Sequence, residues 1–340
     1  MHRFFPALRF LYFFTGIALV FGLFSSCTPE SSGSPEALLS IKGAVKKEKS
    51  FTVSDLKAMP SFFLKDVYLI NEKADCSDDE KLESLGSYRG VLLRDLLLEA
   101  GLKYNRKWEP GVYVKVKNNN KEVTFSFGEL FYSSIGRSAI IAYRKNDKEI
   151  DTDSGCGQLI IHTDLRSGRC IKGITEIIVE RVDVEMKAYD DKKEGYMRPP
   201  TETFAIVDKK NGISRQVNLE NLKNLPSASI PYALMAGDCE GFGGIYSFDG
   251  TPLRLLLEDS GFKGCSYDYS RYVLVESEDG FCTTYSFGEL FNSRLSSNII
   301  IAYIKNNSPL DAKDGFAMSV VREDGMGGRS VKRIYKIEVF

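Results

Sequence analysis

Histidine is nearly absent from this chain: its 340 residues include two, His2 and His162. His2 falls in the leader described below, so one imidazole remains. That excludes a bis-histidine haem site, a histidine-built zinc site and, in the second half of the chain, a Ser-His-Asp arrangement. His162 reads as a structural or surface residue. No Cys-x-x-Cys pair occurs, which removes the usual dithiol redox motif. Charge of one sign is missing as well. The formal net charge is -1, so there is no basic footprint of the kind nucleic-acid binding needs. Lys-rich stretches such as Lys46-Lys-Glu-Lys49 read as solvated faces. A long membrane-spanning run is also lacking: residues 10–24 are almost unbroken apolar sequence, too short to cross a bilayer comfortably.

That run instead suits the core of a signal peptide, with Arg3 and Arg9 before it and no Arg-Arg pair. It leads into Leu23-Phe-Ser-Ser-Cys27, which resembles the lipobox of bacterial lipoproteins, with Phe24 where that motif prefers Leu. The resemblance implies a signal peptide over 1–26, acylation of Cys27 and a lipid-anchored tether over 27–38. Several acyl chains on one Cys would give stable membrane anchoring on the periplasmic or cell-surface side. Export permits disulfides among the six later cysteines. Cys156 with Cys170, and Cys265 with Cys282, form one private pair in each half, and bridges or buried thiols remain equally open.

What is abundant is repetition. Thr124-Phe-Ser-Phe-Gly-Glu-Leu-Phe131 returns as Thr284-Tyr-Ser-Phe-Gly-Glu-Leu-Phe291, a shift of 160 positions, and residues 87–103 return at 247–263 with the same shift. A period this long predicts two copies of a whole domain, over 39–183 and 203–340, joined by a linker over 184–202 rich in charge and proline. In each copy the pattern predicts a strand, a short helix closed by proline and a loop with a cysteine, Cys76 or Cys239. A Leu-rich helix ended by Gly101 or Gly261 follows, then hairpins at 118–120 and 278–280. Ser54 and Asn218 are read as helix N-caps, and Ser126 and Ser286 as caps of a short turn. The fold class is therefore strand-rich α+β, in two tandem copies.

The motifs Gly250-Thr-Pro-Leu253, Asp279-Gly-Phe281, Ile301-Ala-Tyr303, Gly328-Arg-Ser-Val-Lys332 and Ile337-Glu-Val339 resemble the molybdopterin-binding domain of sulfite oxidases and their bacterial relatives. Gly90-Val-Leu-Leu93, Ala142-Tyr143 and Gly168-Arg-Cys-Ile-Lys172 carry a looser likeness in the first copy. The resemblance implies a sulfite-oxidase-like fold, with a loop cysteine as a soft thiolate ligand to molybdenum. That role falls on Cys239 and, less well, on Cys76, whose acidic neighbours Asp75, Asp78, Asp79 and Glu80 would repel an anionic cofactor. It also implies phosphate contacts from Arg329, Ser330 and Lys332, although a solvent-facing basic strand edge explains the same residues. The family's strand arginine is replaced by Gln158 and Met318. A chain exported unfolded would arrive without a cofactor inserted in the cytoplasm. The expectation is thus a cell-envelope lipoprotein, cofactor-free, binding a small molecule or an envelope protein. The alternative is a molybdopterin-dependent oxidoreductase using the second copy.

Overall fold

The computed structural model describes residues 38–71, 81–103, 111–182, 184, 199–236, 242–262 and 267–340. In the first half, β1 (Leu39–Gly43) turns Leu39 and Ile41 inward and is met by β2 (Lys49–Phe51). Thr52 then caps α1 (Val53–Ala58): its Oγ1 accepts the Asp55 N–H at 3.1 Å, and the Asp55 carboxylate accepts the Thr52 N–H at 2.8 Å. The cap expected at Ser54 thus lies two residues earlier, because only Thr52 has an acidic partner three positions on to complete the reciprocal box. The hairpin β3 (Phe62–Ile70) and β4 (Leu82–Leu92) runs into α2 (Leu93–Ala100). Leu93, Leu96, Leu97 and Ala100 are buried, as the i, i+3, i+4 spacing predicts, and Gly101 takes φ 68° at the C-cap. Next come β5 (Val112–Lys117), β6 (Glu122–Ser126), α3 (Phe127–Phe131), β7 (Ala139–Lys145), β8 (Lys148–Glu149), β9 (Cys156–Ile161), β10 (Ile171–Ile174) and β11 (Glu176–Arg181).

The second half repeats the order: β12 (Thr203–Asp208), β13 (Ile213–Asn218), α4 (Leu219–Lys223), β14 (Ala228–Ala236), β15 (Phe242–Pro252), α5 (Leu253–Asp259), β16 (Tyr272–Ser277), β17 (Cys282–Ser286), β18 (Ile299–Lys305), β19 (Ser308–Pro309), β20 (Met318–Val321) and β21 (Ile334–Val339). Asn218 caps α4, as read from the sequence. One sheet runs β2-β1-β11-β5-β6, and its counterpart β13-β12-β21-β16-β17 has the same order. In each, the first strand lies parallel to the last (β1 with β11, β12 with β21). The other sheets run β10-β9-β7-β4-β3 and β14-β15-β18-β19, with β20 on β18. The halves differ where β10 has no counterpart strand, and where Gly288–Asn292 winds as a π-helical turn opposite α3.

One hydrophobic cluster runs through both halves, joining Leu39, Leu93 and Ile177 to Phe204, Leu253 and Ile337. Each half adds a private cluster on the far face of its second sheet. From Ala37 to Phe340 the chain is accordingly one compact unit. Cys156, Cys170 and Cys282 carry free thiols, so Cys156 and Cys170 are not bridged, and burial pushes the Cys170 and Cys282 thiols up to about 12. Cys265 lies outside the described residues. Among the described residues no helix is long and apolar enough to cross a membrane.

Gly90 and Gly250 explain the glycine of the Gly-x-x-Leu motif. Each sits at a bulge between the long hairpin and its neighbour, β4 on β7 or β15 on β18. A Cβ on either would lie 2.3 Å from the carbonyl oxygen of Ile141 or Ile301. Gly90→Ala and Gly250→Ala must therefore push two backbones apart. Each is expected to cost ~1–3 kcal/mol, read as a lower urea midpoint at unchanged m-value.

Candidate functional site

The repeated Ser-Phe-Gly-Glu turn and the repeated Gly-Arg segment meet at the junction of the halves. Arg169 is fully buried: its Nε and Nη2 donate to Asp164 at 2.9 and 2.7 Å, and Nη1 donates to both oxygens of Glu129 at 3.2 Å. Arg329 repeats this with Asp324 at 2.8 and 2.9 Å and with Glu289 at 2.7 Å. Each guanidinium also lies 5.0 Å over a ring, Phe125 or Tyr285. The halves then exchange contacts. Ser126 Oγ donates to Glu289 at 2.6 Å, and Ser286 Oγ donates to Glu129 at 3.0 Å. Gly128 makes room for Arg329 and Gly288 for Arg169: a Cβ at either would fall 2.1 or 2.3 Å from the arginine Cδ of the other half.

Four carboxylates face two arginines here, so full ionisation would leave surplus negative charge without water. Burial accordingly raises Glu129 to about 8, against the pull of Arg169, with Glu289 adding repulsion. Burial also raises Asp164 and Asp324, opposed by Arg169 and Arg329. The cluster is asymmetric at its edge. Asn292 donates to Asp164 Oδ2 and to the Arg166 carbonyl, both at 3.0 Å, and its Oδ1 accepts the Arg166 N–H at 2.9 Å. Its counterpart in the first half, at the same shift of 160 positions, is Tyr132.

These contacts decide what the residues expected to hold phosphate can do. Arg329 does not face an open site, because both ends of its guanidinium are committed to buried carboxylates; this corrects its reading as a phosphate donor. Lys332 reaches Asp314 at 2.8 Å, a carboxylate that also takes Lys305 at 2.7 Å. Ser330 is half-buried, its Oγ 3.7 Å from Met235 Sδ near the end of β14. Met318, where the family's strand arginine would stand, is fully buried in an apolar cluster. Cys76, Cys239 and Cys27 lie outside the described residues. The exposed Arg322 lies over Tyr232 of β14, its guanidinium carbon 5.4 Å from the ring centre. Its counterpart at the shift of 160 positions is His162, read from the sequence as structural or surface and found exposed. Of the three residues expected to contact phosphate, Arg329 is thus committed to internal carboxylates, whereas Lys332 is exposed and Ser330 half-buried.

The two-sheet halves with short helices define a molybdopterin-binding, sulfite-oxidase-like α+β fold. The chain belongs to the family described as the oxidoreductase molybdopterin binding domain, which it matches over residues 29–187 and again over 204–340. Among solved structures, it is similar to the sulfane dehydrogenase SoxCD from Paracoccus pantotrophus. That likeness has 11% sequence identity and a TM-score of 0.35, covering 89% of this chain and 77% of the other. No curated protein matches the sequence.

Two outcomes follow from the buried cluster. Arg329→Met strands Glu289 and Asp324 without a counter-charge and is expected to cost ~3–5 kcal/mol in urea unfolding. Removing the half-exposed pair of Arg254 with Glu258, by Arg254→Ala, should cost under ~0.5 kcal/mol. The second concerns pH. Glu129 binds its proton more tightly folded than unfolded, so its stabilising contribution is full below the ordinary glutamate range and is lost as pH rises through about 8. The urea midpoint should thus fall between mildly acidic and mildly alkaline pH, and Glu129→Gln should flatten that fall.

Proposed function

We propose that this chain is a lipid-anchored, cell-envelope protein that arose by duplication of one molybdopterin-binding-fold module. Its two modules act without the cofactor as a ligand- or partner-binding unit. The observation that carries this reading is the burial of Arg329 against Asp324 and Glu289, which spends on internal pairing a residue that the resemblance assigns to phosphate. Anchoring rests on the lipobox-like segment ending at Cys27 and the apolar run before it. In a protein so anchored, a binding role needs no more than a module held at the membrane surface.

A second reading is a molybdopterin-dependent oxidoreductase using the second half, with Cys239 as the metal thiolate. The family match supports this reading more directly than it supports the first, since both matched segments belong to a family of oxidoreductase domains that bind molybdopterin. The geometry of the described residues supports the first. Molybdenum and pterin analysis of protein purified from its native envelope separates them. The expected result is no metal in a folded protein, which sinks the oxidoreductase. Stoichiometric molybdenum that disappears in Cys239→Ser sinks the binding reading. In the same preparation, Cys27→Ser should move the protein out of the membrane fraction.

A further inference from the structure

A cavity in the second half follows from three positions that differ from the first and from a glycine, shared by both halves, that is left uncovered here. Strand pairing makes Asp208 the counterpart of Gly43 and Arg215 the counterpart of Lys49. The shift of 160 positions makes Arg271 the counterpart of Gly111, and Gly261 that of Gly101. In the first half the ladder of β1 with β2 is three pairs long, and the connection between the two strands folds down over the end of α2. The Lys47 N–H bonds the Ala100 carbonyl at 3.1 Å, the Lys103 N–H bonds the Ala44 carbonyl at 2.9 Å, and a Cβ on Gly101 would sit 3.2 Å from Lys46 Cδ. That end is shut. In the second half the ladder of β12 with β13 is six pairs long and carries the turn onward, and a Cβ on Gly261 would meet nothing within 4 Å. The space left is a cavity of about 320 Å³.

Its lining combines an apolar wall with fixed charges. Arg271 is held between Phe262 and Phe287, its guanidinium carbon 5.3 and 5.2 Å from the ring centres. Its Nε donates to the Phe340 carbonyl at 3.0 Å and its Nη2 to Asp208 at 2.8 Å. Its Nη1 makes no hydrogen bond to a described residue. Asp268, also in the lining, accepts from Ser270 through Oδ1, at 3.1 Å from the N–H and 2.5 Å from the hydroxyl. Among the described residues its Oδ2 has only Lys210, at 3.8 Å. Burial works against that charge, yet the Ser270 bonds hold the carboxyl below the usual range. Arg215 is matched by Asp259 at 2.6 Å. Every charge in the wall therefore has an opposite, and a ligand of single sign would enter unbalanced.

We propose that this cavity binds a small zwitterion, an α-amino acid with an apolar side chain: carboxylate on Arg271 Nη1, ammonium on Asp268 Oδ2, side chain against Phe262 and Phe287. The volume lies at the lower end of the range for small-ligand sites, roughly 300–1,000 Å³. None of its lining residues is among those expected to hold molybdopterin, so the proposal stands whether or not the chain carries that cofactor.

Calorimetric titration of the full chain tests it, with L-phenylalanine as probe and with 3-phenylpropionate and phenethylamine as arms lacking one charge each. L-phenylalanine should bind saturably, and each arm about tenfold or more weaker. Ile213→Trp fills the rim from a side chain that is 61% exposed. It should weaken L-phenylalanine by about tenfold or more with an unchanged thermal midpoint, as should Asp268→Asn. The proposal is overturned by no saturable binding of L-phenylalanine or L-leucine at millimolar ligand. Undiminished binding in Ile213→Trp, or 3-phenylpropionate binding as tightly as L-phenylalanine, overturns it equally.

Discussion

Two arginines buried among four carboxylates are the constraint on which the rest of this structure depends. Taking such charges out of water costs several kcal/mol per ion, and only close, multiple pairing returns it. Here the pairing requires both halves. Each arginine is held by the aspartate and glutamate of its own half, but each glutamate also accepts a serine hydroxyl from the other half. Each arginine stem, in turn, lies over the other half's glycine. Neither half can complete its own cluster. The hydrophobic core follows the same logic by running through the junction instead of closing within each half.

Much of the fold was legible in the sequence because it depends on local signals. The Leu93, Leu96, Leu97 stripe, the stop at Gly101 and the turns at 118–120 and 278–280 are fixed by periodicity and turn chemistry within a few residues. The 160-position repeat carried the order of elements from one half to the other. The cap at Thr52 had a local signal in Asp55 three positions on, whereas the π-helical turn at Gly288–Asn292, opposite the α-helical α3 of near-identical sequence, had none.

The site was less legible, and Arg329 shows why. A Gly-Arg-Ser segment near a strand edge has one appearance in sequence whether the guanidinium meets a phosphate or a carboxylate. Asp324 lies five residues before Arg329, and Asp164 five before Arg169, a repeated spacing visible in both halves. That spacing was the available signal for internal pairing. The serine and glycine of the Ser-Phe-Gly-Glu turn read as a cap and a tight bend, which they are. Their second duty, across the junction, involves partners 157 and 163 positions away, beyond any local pattern.

A symmetric junction leaves the periphery free to diverge, and the divergence is directional. The first half spends its edge on closure: Lys46 covers the helix end at Gly101, and Asn292 from the second half pins the loop after β9. The second half places Asp208 and Arg271 where the first has glycines, and its β12–β13 ladder is six pairs long against three. A buried ion pair such as Asp208 with Arg271 contributes little net stability once its desolvation is counted, so stability alone does not account for it. Glycine at both positions already suffices for the fold, as the first half demonstrates. The charged pair therefore points to a role in what the second half holds, with the first half serving as its rigid base.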